Sequence, residues 1–75
     1  MSAYQGHRSW NAWNVALWIG NDEGLYRWAV DLVKEHGRKR AARIMARDLQ
    51  GQSTPDGCKY NYTCIYEALD GIEGG

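Results

Sequence analysis

"NDEGLYRWAVDLVKEHG", residues 21–37, is the stretch whose reading decides the fold. Leu25, Trp28, Ala29, Leu32, Val33 and His36 recur at three- and four-residue intervals. Only a helix gathers such a series on one side. Asn21 and Asp22 supply a cap, because a short side-chain oxygen accepts the orphan N–H groups of a first turn. Asp22 and Glu23 also place negative charge at the positive end of the helix dipole. Gly37 can adopt the left-handed conformation that closes a helix. The spacing therefore predicts one helix of about four turns between "IGND" and "HG".

The preceding stretch, "SWNAWNVALWIG" (residues 9–20), holds three of the chain's four tryptophans. Ser9 or Asn11 can cap a first helix, and Gly20 is its natural stop. Trp10, Trp13 and Leu17 fall at i, i+3 and i+7, with Ala16 beside them. Trp18 is turned about 100° from Leu17, so one helix cannot bury all three indoles against one neighbour. The expectation is that Trp10 or Trp13 fills the core together with Trp28. Trp18 or Trp10 then remains partly exposed as an interface anchor. Asn14 is a poor residue for a helix interior, since its side chain competes for backbone hydrogen bonds. It reads as a buried bridge from the first helix to a loop or to the next cap.

Downstream, "RKRAARIMARDLQG" (38–51) carries Ala41, Ile44 or Met45, and Leu49 on one side and bases elsewhere, with Gly51 closing it. "QSTPDG" (52–57) is the clearest loop in the chain. In "KYNYTCIYEALDGIEGG" (59–75), Asn61 can cap and Tyr60 can staple onto Ile65. Ile65, Ala68, Leu69 and Ile72 form the apolar face, while Gly71 weakens the end by about 1 kcal/mol relative to Ala. A short extended piece at Cys58–Tyr60 is the weakest element, and residues 1–8 show no periodicity and read as a loose start. The expected fold is all-α: one domain over residues 1–75, a compact bundle of about four short helices, the middle two longest. A core at this size rarely supplies more than ~3–5 kcal/mol without help. Four Trp and five Tyr with no Phe are the large side chains available for it.

The formal net charge is zero, but the charge is segregated. Residues 1–33 carry a net −1, residues 34–47 a net +5 and residues 48–75 a net −4. The start lacks the apolar core of a secretion signal, and Val15 to Ile19 is the longest apolar run, far short of a membrane span. The expected setting is the cytoplasm, where Cys58 and Cys64 stay reduced although their spacing permits a disulfide. Cys64 falls in a helix first turn, which would lower its pKa. No residue set points to a metal or a cofactor. Asp22 and Glu23, being adjacent, diverge on a helix, and Ser9, Ser53, His7 and His36 form no nucleophile–base pattern. The chain is expected not to be an enzyme.

"WNVALWIGNDEGLY", Trp13 to Tyr26, resembles a motif of small uncharacterised proteins encoded by bacteriophages, plasmids and integrated mobile elements, which reads W-N-V-A-L-W-I-x-N-D-E-G-L-Y. The resemblance covers fourteen consecutive residues, less than a fifth of the chain. It implies a genomic setting in which short proteins act by binding a host protein. Inhibitors of host defence, anti-CRISPR proteins among them, are a prominent class there. A host or phage protein, such as a CRISPR-Cas component in the host cytoplasm, is the partner this setting implies.

The residues expected to make the contact are Arg38, Lys39, Arg40, Arg43 and Arg47, with Trp18 as the aromatic anchor. Arg40, Arg43 and Arg47 lie at i, i+3 and i+7, and Lys39 joins Arg43 and Arg47 at four-residue steps. Arg donates in pairs to phosphate or carboxylate. Docking on an acidic protein patch is one reading of this stripe, and contact with a nucleic acid backbone is another. A solvated face, alone or paired with the acidic last helix, is a third. That pairing could run within one chain or across the two-fold of a homodimer. Overall neutrality weighs against a dedicated nucleic-acid reader, which usually shows a basic domain.

Overall fold

Single residues, Asp22 and Gly37, separate the first three helices. The computed structural model describes residues 10–73, apart from the side chains at 71 and 73. They form α1 (Trp10–Asn21), α2 (Glu23–His36), α3 (Arg38–Asp48) and α4 (Tyr62–Glu73). The all-α bundle of four short helices is the fold expected from the sequence. The loose start over residues 1–8 and the Ser9 cap lie outside the described residues.

Each boundary has a local cause. The α1–α2 corner is made by Asp22 rather than Gly20, which α1 runs straight through. Asp22 is extended (φ −94°, ψ 112°), and its Oδ1 accepts the Leu25 N–H at 3.0 Å. Its own N–H donates to the Trp18 carbonyl at 3.0 Å, so one residue ends α1 and caps α2. A side-chain cap thus replaces the left-handed stop expected at Gly20. Gly37, at φ 85°, makes the second corner, and its N–H donates to the Val33 carbonyl at 2.9 Å. That φ is strained for any side chain, which is why glycine stands between two helices here. Asn61 caps α4 as expected, accepting the Cys64 N–H at 2.9 Å. Asn11 is no cap: it lies inside α1.

Helix lengths depart from expectation at α3. α2 is longest at 14 residues, but α3 is shortest at 11. α3 stops at Asp48 because the chain turns there to put Leu49 into the core, and Gly51 at φ 84° completes the reversal. The loop that follows is closed on itself. Gly57 N–H donates to the Thr54 carbonyl at 2.8 Å across Pro55 and Asp56, and Thr54 N–H donates to the Cys58 carbonyl at 2.7 Å. Pro and Gly occupy the turn positions that favour them. A lone antiparallel bridge between Ser53 and Lys59 is what exists of the extended piece expected near Cys58–Tyr60.

α4 is the central helix, packing on α1, α2 and α3, whereas α1 and α3 do not touch. The core is aliphatic. Ala12, Val15 and Ile19 of α1, Ala29 of α2, Ala41, Ala42 and Met45 of α3, and Cys64, Ile65 and Leu69 of α4 are buried, with Leu49, Cys58 and Tyr60 from the connections. Four alanines among them let the helices approach closely. Of the indoles expected in this core, Trp28 is half-buried and packs against it, but neither Trp10 nor Trp13 belongs to it: Trp10 is 42% exposed and Trp13 half-buried, as is Trp18. The inward face of α1 is Ala12–Val15–Ile19, about 160° around the helix from Trp10–Trp13–Leu17. Both series obey the same spacing, so periodicity alone did not choose between them. No helix among the described residues is long and apolar enough to cross a membrane.

Candidate functional site

Two polar regions lie on helices that do not meet, one on α1 and one on α3. On α1, Asn11, Asn14 and Trp18 share a stripe at i, i+3 and i+7, and the 52–58 loop docks onto it. Asn14, 1% exposed, is its centre. Its Oδ1 accepts the Thr54 hydroxyl at 2.7 Å, and its Nδ2 donates to Asp56 Oδ2 at 2.8 Å. The Trp18 indole N–H donates to the same carboxylate oxygen at 2.9 Å. Thr54 Oγ1 in turn accepts the Cys58 N–H at 3.1 Å, and the Cys58 thiol donates to Asn11 Oδ1 at 3.2 Å. The bridge expected of Asn14 thus exists, and its far end is the loop. Among the described residues no buried side-chain nitrogen or oxygen is left without a partner.

Hydrogen bonds from Asn14 first, and then from Trp18, hold the Asp56 carboxyl below its ordinary range. Cys64, expected to have a lowered pKa in a first turn, has a raised one: burial outweighs the hydrogen bond from Asn61. Burial also raises Cys58, aided by the nearby Cys64 and Asp56 charges. Both cysteines are free and buried, and neither is a poised nucleophile. Among the described residues no group of three or more His, Cys, Asp or Glu side chains is arranged to hold a metal ion.

The second region is the outer face of α3. His36, Arg40, Arg43, Ile44 and Arg47 line a concavity of about 410 Å³. No carboxylate contributes to its lining. Among the described residues Arg40 and Arg43 have no ion-pair partner, and Arg47 makes only a 3.8 Å contact to its neighbour Asp48. His36 comes in from the last turn of α2, its Nε2 3.7 Å from Glu35.

The five cations named from the sequence therefore divide. Arg40, Arg43 and Arg47 come together around the concavity. Lys39 is exposed on the same helix but outside the lining. Arg38 belongs elsewhere. Its Nε donates to the Tyr66 carbonyl at 3.0 Å, its guanidinium lies 3.8 Å from the centre of the Tyr66 ring, and Nη1 is 3.4 Å from Asp70. Tyr62 stacks on the same ring at 5.7 Å. Arg38 pins α3 to α4 within the chain, which is the basic–acidic pairing that the charge segregation suggested. Trp18 faces the loop, with its N–H already committed.

His36 and Ile44 were not expected at this site. Ile44 was one of two candidates for the core, and Met45 took that place. Ile44 stands four residues after Arg40 and three before Arg47, the spacing of nearest neighbours on a helix surface. That signal was present in the sequence. The placement of His36 depends on how sharply Gly37 folds α3 back, which spacing does not encode.

A family of unknown function, DUF7249, matches residues 1–72. The chain belongs to DUF7249. No curated protein and no solved structure matches it. In this DUF7249 chain the Trp13–Tyr26 motif maps onto the α1–α2 corner. Val15 and Ile19 fill the core, Asn14 and Trp18 hold the loop, and Asp22 caps α2. Most of the motif therefore specifies scaffold.

Proposed function

We propose that this protein works by stoichiometric binding, docking an acidic surface of a partner protein onto the outer face of α3. The observation that carries this reading is the concavity of three arginines and a histidine around Ile44, with no carboxylate in its lining. Arg40 and Arg43 have no ion-pair partner among the described residues, and grouping like charges costs repulsion, which an external anion relieves. Two other arginines do have carboxylate partners within the chain: Arg27 pairs with Glu23 at 3.0 Å, and Arg38 with Asp70. The mobile-element setting implied by the Trp13–Tyr26 motif makes a host or phage protein the partner. Inhibition of a host defence system such as CRISPR-Cas is the specific form proposed, in the host cytoplasm and without catalysis.

Affinity capture from a CRISPR-bearing host tests the reading, with the Arg40→Ala/Arg43→Ala/Arg47→Ala variant as control. The expected result is one host protein recovered in one-to-one ratio by the parent and lost with the variant. Equal recovery by both would remove α3 as the contact. Nucleic-acid binding is the alternative. It predicts a gel shift at low salt that weakens steeply as salt is added.

A further inference from the structure

The chemistry of the α3 concavity narrows the partner further. We infer that it recognises a short acidic–apolar peptide segment, in which one or two carboxylates flank an aliphatic side chain. This inference rests on the protein-binding reading above.

Three observations support it. First, the three arginines and His36 surround an apolar residue. Ile44 is half-buried among Arg40, Arg43, Arg47 and His36. A simple phosphate or a sugar–phosphate backbone would satisfy the arginines but leave Ile44 uncovered. A Leu, Ile or Val side chain entering between the guanidiniums would cover it, while adjacent carboxylates took the bidentate N–H pairs. Second, the volume is that of a small site. At about 410 Å³ it falls toward the lower end of ligand pockets and admits a few side chains. Third, the positive region is short. Glu35 stands beside His36 and Asp48 beside Arg47, so carboxylates bound the concavity at the ends of both contributing helices. An extended polyanion would run onto those carboxylates, whereas a compact acidic segment would not. A nucleic acid is accordingly the poorer fit, and the test includes it.

Two capped peptides, Gly-Glu-Leu-Glu-Gly and Gly-Glu-Ser-Glu-Gly, differ only in the apolar side chain. Titrating each into the full-length protein, with binding followed through the backbone amides of Arg43, Ile44 and Arg47 by NMR, separates the two components of recognition. The leucine peptide should bind about tenfold more tightly, the difference made by covering one aliphatic side chain. Ile44→Ser should erase most of that preference and leave the serine peptide's affinity unchanged. Arg43→Ala should weaken both peptides alike. Equal affinity of the two peptides for the parent protein would overturn this inference and leave the wider reading intact. Tighter binding of a single-stranded oligonucleotide than of either peptide would overturn both. The peptide comparison on the parent protein needs no variant to fold.

Discussion

The α1–loop face and the outer face of α3 use polar side chains in opposite ways. On α1 the polar side chains that face the loop are spent inside the molecule. Thr54 and Asp56 meet Asn14, Trp18 shares the Asp56 carboxylate, and Cys58 reaches Asn11. On α3, Arg40 and Arg43 have no ion-pair partner among the described residues, and the carboxylates of Glu35 and Asp48 stand at the edges of the concavity. Sequence weighting would place the specific feature on α1, where the fourteen-residue motif begins. The proposed docking uses the open charge on α3 instead. Polar groups that are satisfied within the chain hold a fold together, while exposed charges without an internal partner are free to meet water or a ligand.

The comparison breaks most easily at Asn14. Asn14→Ala deletes a buried amide and leaves the Thr54 hydroxyl facing an apolar gap. Orphaning such groups costs about 2–3 kcal/mol, a large part of the ~3–5 kcal/mol that a core this small supplies. The midpoint of thermal unfolding, followed by circular dichroism, should fall by roughly 10–20 °C. A drop of less than about 3 °C would mean that the loop is held without the bridge. The next effect belongs to Arg38, the one base of α3 that behaves like the α1 network. Its side chain is 21% exposed and makes a backbone hydrogen bond, a ring contact and an ion pair. Arg38→Ala should cost about 1 kcal/mol by urea unfolding. It should also leave partner capture unchanged. Lost capture with unchanged stability would move Arg38 back to the binding face.

Which parts of this were legible beforehand follows from what periodicity can and cannot encode. α2 was fully legible: six residues at helical spacing, a cap at Asp22 and a stop at Gly37 all agree. Asn14 was legible by its oddity, since a lone amide amid apolar residues has few other uses. The inward face of α1 was not. The series Trp10–Trp13–Leu17 and Ala12–Val15–Ile19 are both apolar and evenly spaced, and size favours the indoles. The helices pack closely, however, and their alanine-rich contacts admit Ala and Val where an indole would hold the helices apart. Arg38 was legible in principle. It lies about 140° from Arg43 and one turn before the buried Ala41 and Ala42, on the inward side.

Acid separates the two faces more gently. Hydrogen bonds from Asn14 and Trp18 depress the Asp56 pKa in the folded state. Its stabilising contribution is therefore complete above the unfolded value near 3.9 and is lost as pH falls through the lower folded value. The parent protein should lose stability on acidification below about pH 4, with a change in Trp18 fluorescence as the indole N–H loses its charged acceptor. In Asp56→Asn that limb should be shallower, because the acceptor no longer titrates. Parallel curves of unfolding midpoint against pH for parent and variant would show that Asp56 does not hold the loop.

The smallest effect is expected where charge is densest. Replacing Arg40, Arg43 and Arg47 together removes three positive charges and, with them, one weak contact to Asp48. Relief of their mutual repulsion should stabilise the fold slightly. Against this, alanine also deletes the aliphatic stems beside the half-buried Ile44, since arginine shields apolar surface with its methylenes while its head stays in water. The glutamine triple variant keeps most of the stem and loses only the charge. Its stability should lie within about 0.5 kcal/mol of the parent, at or above it. The alanine triple variant should then fall slightly below the glutamine one, by an amount that reports the covering of Ile44. A glutamine variant several degrees less stable than the parent would mean that the arginines have internal partners after all. The α3 face would then be scaffold of the same kind as the α1 network.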